Sequence, residues 1–198
     1  EIKKYAIKAY QNYFGNEKIY GDITQIKTKD IPDFDVLLAG FPCQPFSSGG
    51  KGFGISDTRG TLFFEIERIL KEKKGIGKPA KAFLLENVEG LVNHDNGNTL
   101  NVIIAKLKGL GYKVNYKVLD SQYFGLAQSR KRIYIVGTLN EKVDLENFEK
   151  STATFSDIME RGLPIIESTF TKKLFNNYSP DEVVGKSIKD KRGGKDNI

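Results

Sequence analysis

Apolar residues recur at helical spacing over Ile2, Tyr5, Ala6, Ala9, Tyr10 and Tyr13, and Gly15 ends the run. That spacing predicts a first helix. A short strand is expected at Lys18-Ile19-Tyr20, followed by Gly21-Asp22-Ile23. Pro32-Asp33-Phe34-Asp35 reads as a turn into Val36-Leu37-Leu38-Ala39, a continuous apolar run of the length of a buried strand. Ser47 to Gly60 is interrupted by Gly49, Gly50, Gly52 and Gly54 and reads as a long loop, of the kind that often serves as a lid. Leu62, Phe63, Ile66, Ile69 and Leu70 form the apolar stripe of a second helix, whose lysine-rich last turn complements the helix dipole. Ala82-Phe83-Leu84-Leu85 is a second buried strand, with Glu86-Asn87-Val88 at its carboxyl end. Leu100, Ile103, Ile104, Leu107 and Leu110 outline a third helix closed by Gly111. Val114, Tyr116 and Val118 alternate, as do Ile133, Ile135 and Gly137, which predicts a closing strand pair. Strands alternating with helices imply an α/β fold with a doubly wound, mostly parallel sheet.

Composition narrows the setting. In 198 residues the hydrophobic share is 39%, enough for a core. The net charge is +6, from 31 Lys and Arg against 25 Asp and Glu, a balance that suits an anionic partner such as nucleic acid. One cysteine and one histidine, His94, are too few for a zinc site, and a single cysteine excludes an internal disulfide. A reducing, cytoplasmic location is therefore expected. No apolar stretch approaches membrane-spanning length, so no membrane partner is expected. The first residue is Glu1 rather than Met, and the chain stops shortly after Lys-Arg-Gly-Gly-Lys, which reads as a fragment of a longer protein. Beyond about Asn140 the periodicity weakens, and Lys186 to Lys195 is strongly basic. A solvated tail and the start of a DNA-facing domain both fit that stretch.

Chemistry concentrates at strand ends. The only cysteine lies in Gly40-Phe41-Pro42-Cys43-Gln44-Pro45-Phe46-Ser47, directly after the Val36–Ala39 run. A lone cysteine is by default a small buried apolar residue. Here Pro42 and Pro45 forbid a helix and keep Phe41 and Gln44 extended, so the thiol sits on a stiff bend at a strand's carboxyl end. Open α/β sheets place ligands at that edge. Glu86 stands at the carboxyl end of the second strand, and Gln128-Ser129-Arg130-Lys131-Arg132 leads into Ile133-Tyr134-Ile135-Val136 near the same rim. Arginine supplies forked donors for a carboxylate, a phosphate or a carbonyl oxygen. A polar strand cap would explain Glu86-Asn87 alone, and an exposed basic face would explain the arginines alone; the combination points to a site.

With these motifs in order, the chain resembles the bacterial cytosine-5 DNA methyltransferases of restriction–modification systems. Gly-Phe-Pro-Cys-Gln-Pro-Phe-Ser (40–47) is similar to that family's nucleophile motif, Glu-Asn-Val (86–88) to its cytosine-holding motif and Gln-Ser-Arg-Lys-Arg (128–132) to its Gln-x-Arg-x-Arg motif. Gly21-Asp22-Ile23 and Gly60-Thr61-Leu62-Phe63-Phe64 fall in the family's order, and the likeness covers roughly residues 1–140. The resemblance implies a Rossmann-like, S-adenosylmethionine-dependent methyltransferase acting on a cytosine flipped from double-stranded DNA. It implies Cys43 as nucleophile at carbon 6, Glu86 at ring nitrogen 3, Arg132 on the cytosine carbonyl oxygen and orienting Glu86, and Arg130 in support. It places Gln44 and Ser47, with Arg130 and Arg132, against DNA. For the cofactor it implies Glu1 on the ribose hydroxyls, Asp22 on the adenine amino group, Ile23 packed on the ring, and Pro42 and Leu62 lining the pocket. No metal is implied, and a cognate restriction endonuclease is a genetic rather than a bound partner. The expected division is a catalytic domain over 1–155 and the beginning of a smaller target-recognition domain over 156–198.

The family's Phe-x-Gly-x-Gly loop is expected before Glu1 and its later motifs after Ile198, so this segment by itself is expected to be inactive. A partner chain supplying those parts is the alternative. Two other function classes remain on sequence grounds. One is a non-catalytic DNA-binding relative or regulatory subunit, discriminated by the presence of the glycine loop upstream. The other is a cysteine hydrolase, which needs His94 as its base; that residue lies in the turn-rich Asn93-His94-Asp95-Asn96-Gly97-Asn98 and reads as a surface or capping residue. The target DNA sequence and the oligomeric state are not encoded in any motif found.

Overall fold

The computed structural model describes residues 1–15, 17–42, 61–158, 169, 172, 176, 187–189 and 195–197. They divide into two units, Glu1–Ser121 with Arg130–Glu149, and Gln122–Ser129 with Lys150–Ile198.

The first unit is an α/β structure. Its sheet contains β1 (Val36–Gly40), β2 (Ala82–Val88), β3 (Lys113–Asp120) and β4 (Lys131–Thr138) in the order β1-β2-β4-β3. β1 and β2 run parallel, as the intervening helix requires. β3 and β4 pair antiparallel, and β4 is antiparallel to β2, so the sheet is mixed. The parallel arrangement expected from strand–helix alternation holds for β1 and β2, while the closing pair adds the antiparallel edge. α1 is Lys4–Phe14, α2 is Thr61–Gly75 and α3 is Asn98–Gly109.

Side-chain alternation decides which face is core. Phe83, Leu85 and Asn87 on β2 and Ile133 and Ile135 on β4 are buried on one face. Phe63, Ile66 and Leu70 of α2 and Leu100, Ile103 and Leu107 of α3 join them in one cluster. Gly137 completes that face, because a Cβ there would overlap the Phe83 ring. On the opposite face β1 leaves Val36 and Leu38 exposed.

Three expectations change. Lys18-Ile19-Tyr20 forms no strand; a strand exists by ladder hydrogen bonds, and the described sheet ends at β1. β2 runs through Glu86-Asn87-Val88 rather than stopping before it, because its ladder with β4 extends to the Val88–Arg132 pair. α1 forms and ends at Gly15, whose φ of +83° suits glycine, yet Tyr5, Tyr13 and Phe14 of its apolar spacing are exposed. The expected long loop over 47–60 lies outside the described residues. Among the described residues, no helix is long and apolar enough to cross a membrane.

The second unit contains α4 (Phe155–Ile158) and an antiparallel ribbon of β5 (Ser187–Lys189) and β6 (Lys195–Asn197). Asp157 accepts from the Thr154 amide at 2.7 Å and hydroxyl at 2.9 Å, closing the first turn of α4. Phe124 bridges Ser151, with Gly125 N donating to Ser151 O at 2.9 Å.

Candidate active site

Register brings the first group together. In the ladder Gly40 lies opposite Glu86, and Glu86 lies opposite Tyr134, one diagonal step from Arg132. Arg132 and Glu86 therefore share a face, and Arg132 Nε contacts Glu86 Oε1 at 2.8 Å. Both side chains are partly exposed, at 20% and 39%, so the pair borders solvent rather than being sealed in the core. The Arg132 Nη1 donates to its neighbour's carbonyl, Lys131 O, at 2.8 Å, which fixes the fork further. A Cβ at Gly40 would stand 3.4 Å from Glu86 Oε2, so the missing side chain leaves room directly over the carboxylate.

The chain leaving β1 is held against the same site. Asn87, 1% exposed, donates from Nδ2 to Phe41 O at 3.3 Å and accepts from Val88 N at Oδ1 at 2.8 Å. Phe41 is buried against Phe63, with ring centroids 5.9 Å apart. Asn87 thus fixes the peptide two residues before Cys43, a role that its place in the Glu-Asn-Val run did not disclose. Cys43, Gln44 and Ser47 lie outside the described residues. Arg130 lies at the same end of the sheet; its amide donates to the buried Asp120 Oδ1 at 2.9 Å and its side chain is exposed.

A second group forms beside a pair of 3-10 turns, Ile23–Gln25 and Thr28–Asp30. Asp22 caps the first turn: its Oδ1 accepts from Thr24 N at 2.9 Å and from the Thr24 hydroxyl at 2.8 Å. Those bonds, the backbone one foremost, hold its carboxyl below the usual range. Glu1 lies alongside, its nitrogen donating to Tyr20 O at 3.1 Å and Gly21 O at 3.5 Å. Its carboxylate accepts from the amides of Lys3 and Ile2, and these lower its pKa as well. The structure thus brings Glu1, Asp22 and Ile23 together. Pro42 ends the described part of β1's exit, and Leu62, half-buried, opens α2. His94 Nδ1 lies 2.7 Å from the Thr99 hydroxyl at the start of α3, which accounts for its place without catalysis.

A sequence reading alone missed Arg68. It bonds Glu65 within α2 and also reaches Ile26 O and the Thr28 hydroxyl at 3.0 and 2.8 Å. The available signal was an arginine flanked at helical spacing by Glu65 and Glu72.

The first unit is thus a mixed α/β sheet with a carboxylate–guanidinium pair beside the exit of β1. The solved structures agree on the fold. The chain superposes with a TM-score of 0.68 on the Entamoeba histolytica methyltransferase EhMeth at 19% identity, covering 83% of this chain and 51% of that one. With Spodoptera frugiperda DNMT2 the TM-score is 0.64 at 24% identity, over 83% and 52%.

Residues 1–194 match the model of the C-5 cytosine-specific DNA methylase family, and the chain belongs to that family. It is 52% identical to Type II methyltransferase M.NgoBV of Neisseria gonorrhoeae over 205 residues, covering 100% of this chain and 47% of that protein. It is 61% identical to Type II methyltransferase M.HaeII of Haemophilus aegyptius over 141 residues, covering 71% and 42%. The chain spans about half the length of these relatives.

Proposed function

We propose that the complete protein carrying this chain transfers a methyl group to carbon 5 of a cytosine flipped out of double-stranded DNA, within a specific sequence, through a covalent Cys43 adduct at carbon 6. The observation that carries this reading is the Arg132–Glu86 pair beside the β1 exit that leads to Cys43. Cys43 attacks as thiolate: its sulfur bonds carbon 6 as the carbon 5–carbon 6 π bond opens. Glu86 holds a proton at ring nitrogen 3 and offsets the charge that gathers there during attack. Arg132 keeps Glu86 in place and turns its remaining N–H groups to the cytosine carbonyl oxygen, with Arg130 supporting the same region. The addition makes carbon 5 electron-rich, and carbon 5 would take the methyl group as that group's bond to the cofactor sulfur breaks; a base then takes the carbon-5 proton, the π bond re-forms and Cys43 leaves. Gln44 and Ser47 meet the DNA backbone or the space the base vacates.

The residues of the second group fit S-adenosylmethionine. The Glu1 and Asp22 carboxylates, each held toward its ionised form by backbone amides, are acceptor-only groups, and a ribose diol and an adenine amino group are donors. Glu1 takes the ribose hydroxyls, Asp22 the adenine amino group and Ile23 the ring face, with Pro42 and Leu62 lining the pocket. When bound, the cofactor supplies an electrophilic methyl group. The setting is the bacterial cytoplasm in a restriction–modification system, with residues 156–198 beginning the target-recognition domain.

The test is methyl transfer by the full-length protein with labelled cofactor and mixed-sequence duplex DNA. Label at carbon 5 of cytosine is expected, and bisulfite sequencing of DNA from expressing cells then reads the target. Folded, cofactor-bound protein that leaves carbon 5 unlabelled contradicts the proposal.

A further inference from the structure

The segment after Asp22 is thinly packed. From Ile23 to Asp30 only Thr28 is buried. A surface cavity of about 840 Å³ opens between Thr24, Ile26 and Thr28 on this segment, Arg68 and Glu72 on α2, and Ile76 just after that helix. Apolar contact therefore does little to fix these turns, and their placement falls to hydrogen bonds.

One side chain supplies a set of them. Arg68 donates from Nη1 to the Thr28 hydroxyl at 2.8 Å, and from Nη2 to Ile26 O at 3.0 Å and Ile23 O at 3.4 Å. The guanidinium is itself held within α2: Glu65 Oε2 accepts from Nε at 2.9 Å and Nη2 at 2.7 Å, and Glu72 Oε2 lies 3.5 Å from Nη1. The planar fork thus gathers two carbonyls and a hydroxyl from both turns onto one helix. A lysine ammonium has no such planar fork.

We propose that Arg68 is the positioning residue for the cofactor's adenine: it holds the Asp22–Ile23 turn in the orientation in which the carboxylate and the isoleucine face the base. This rests on the reading of Asp22 and Ile23 given above. The step is one removed from the ligand. Thr24 aims the Asp22 carboxylate, and Arg68 holds the turn that carries Thr24 by the Ile23 and Ile26 carbonyls on either side of it.

The experiment compares Arg68→Met, Arg68→Lys and Asp22→Ala in the full-length protein, with S-adenosylhomocysteine as the calorimetric probe. Arg68→Met is expected to raise its Kd about tenfold, the loss of roughly one charge-assisted hydrogen bond. KM for S-adenosylmethionine should rise in step, while kcat and DNA affinity stay within about twofold. Arg68→Lys should fall between wild type and Arg68→Met. Weakened probe binding in Asp22→Ala with unchanged binding in Arg68→Met overturns the inference alone. Unchanged binding in Asp22→Ala overturns the reading on which it rests. A joint fall of kcat, DNA affinity and probe affinity in Arg68→Met assigns the residue a merely structural role and also overturns it. If Arg68→Met does not fold, Thr28→Val removes one acceptor and should raise the Kd about threefold; no rise contradicts the proposal.

Discussion

Glu86 and Arg132 stand on adjacent strands of a hydrogen-bonded ladder, whereas Asp22 and Glu1 stand on turns and chain outside the sheet. The first pair inherits its spacing from strand register, which cannot change by one residue without turning every core side chain outward. The second pair depends on a cap, a few carbonyl contacts and one arginine. In the proposed function, the chemistry that needs sub-ångström placement thus falls to the rigid pair, and cofactor binding, which tolerates more adjustment, falls to the pair that local contacts can tune.

Mutations should separate the two halves by size of effect. Cys43→Ala should abolish methyl transfer, a loss of at least about 10⁴-fold in a single-turnover assay, with cofactor affinity unchanged. Glu86→Gln should slow covalent addition by about 10²- to 10³-fold and alter DNA affinity little. Equal losses in rate and binding would make Glu86 a structural carboxylate and erase the contrast. Gly137→Ala should destabilise the fold by about 3 kcal/mol in urea unfolding, since the new methyl must displace the buried Phe83 ring. An unperturbed midpoint would show that the strand half is softer than its register implies.

The smallest effect concerns pH. Hydrogen bonds lower the carboxyl pKa values of Glu1 and Asp22, so both remain ionised until pH falls below the ordinary carboxylate range. Any stability from these bonds is present above the unfolded pKa values and is lost as pH falls through the folded ones. Calorimetric cofactor affinity should accordingly stay flat from neutral pH through the ordinary carboxylate range and weaken only as pH falls below that range. A decline centred near neutrality would implicate a different titrating group.

The same division governs what could be read from the chain. The apolar runs at 36–39 and 82–85 and the alternation at 133–137 are contiguous signals, and each appears in the sheet. That Glu86 and Arg132 lie near one rim was legible because both residues sit at the ends of such runs; that Arg132 orients Glu86 was implied only by the family resemblance. Lys18-Ile19-Tyr20 looked like a strand from three residues, but strand character is conferred by a neighbour. Arg68 was hidden for the converse reason: its residue type fits an exposed helix face, and its partners Ile23, Ile26 and Thr28 are distant in sequence. Asn87 was visible as part of a motif, while its hold on Phe41 depends on the parallel pairing of β1 with β2.

The most direct test of the central claim is mass spectrometry of full-length protein incubated with S-adenosylmethionine and duplex DNA carrying 5-fluorocytosine at the target. Fluorine cannot leave carbon 5 as a proton does, so elimination is blocked and the adduct persists. A covalent protein–DNA species is expected whose linked peptide contains Cys43 and which vanishes in Cys43→Ser. No adduct from folded, DNA-bound protein, or one that survives removal of Cys43, would contradict it.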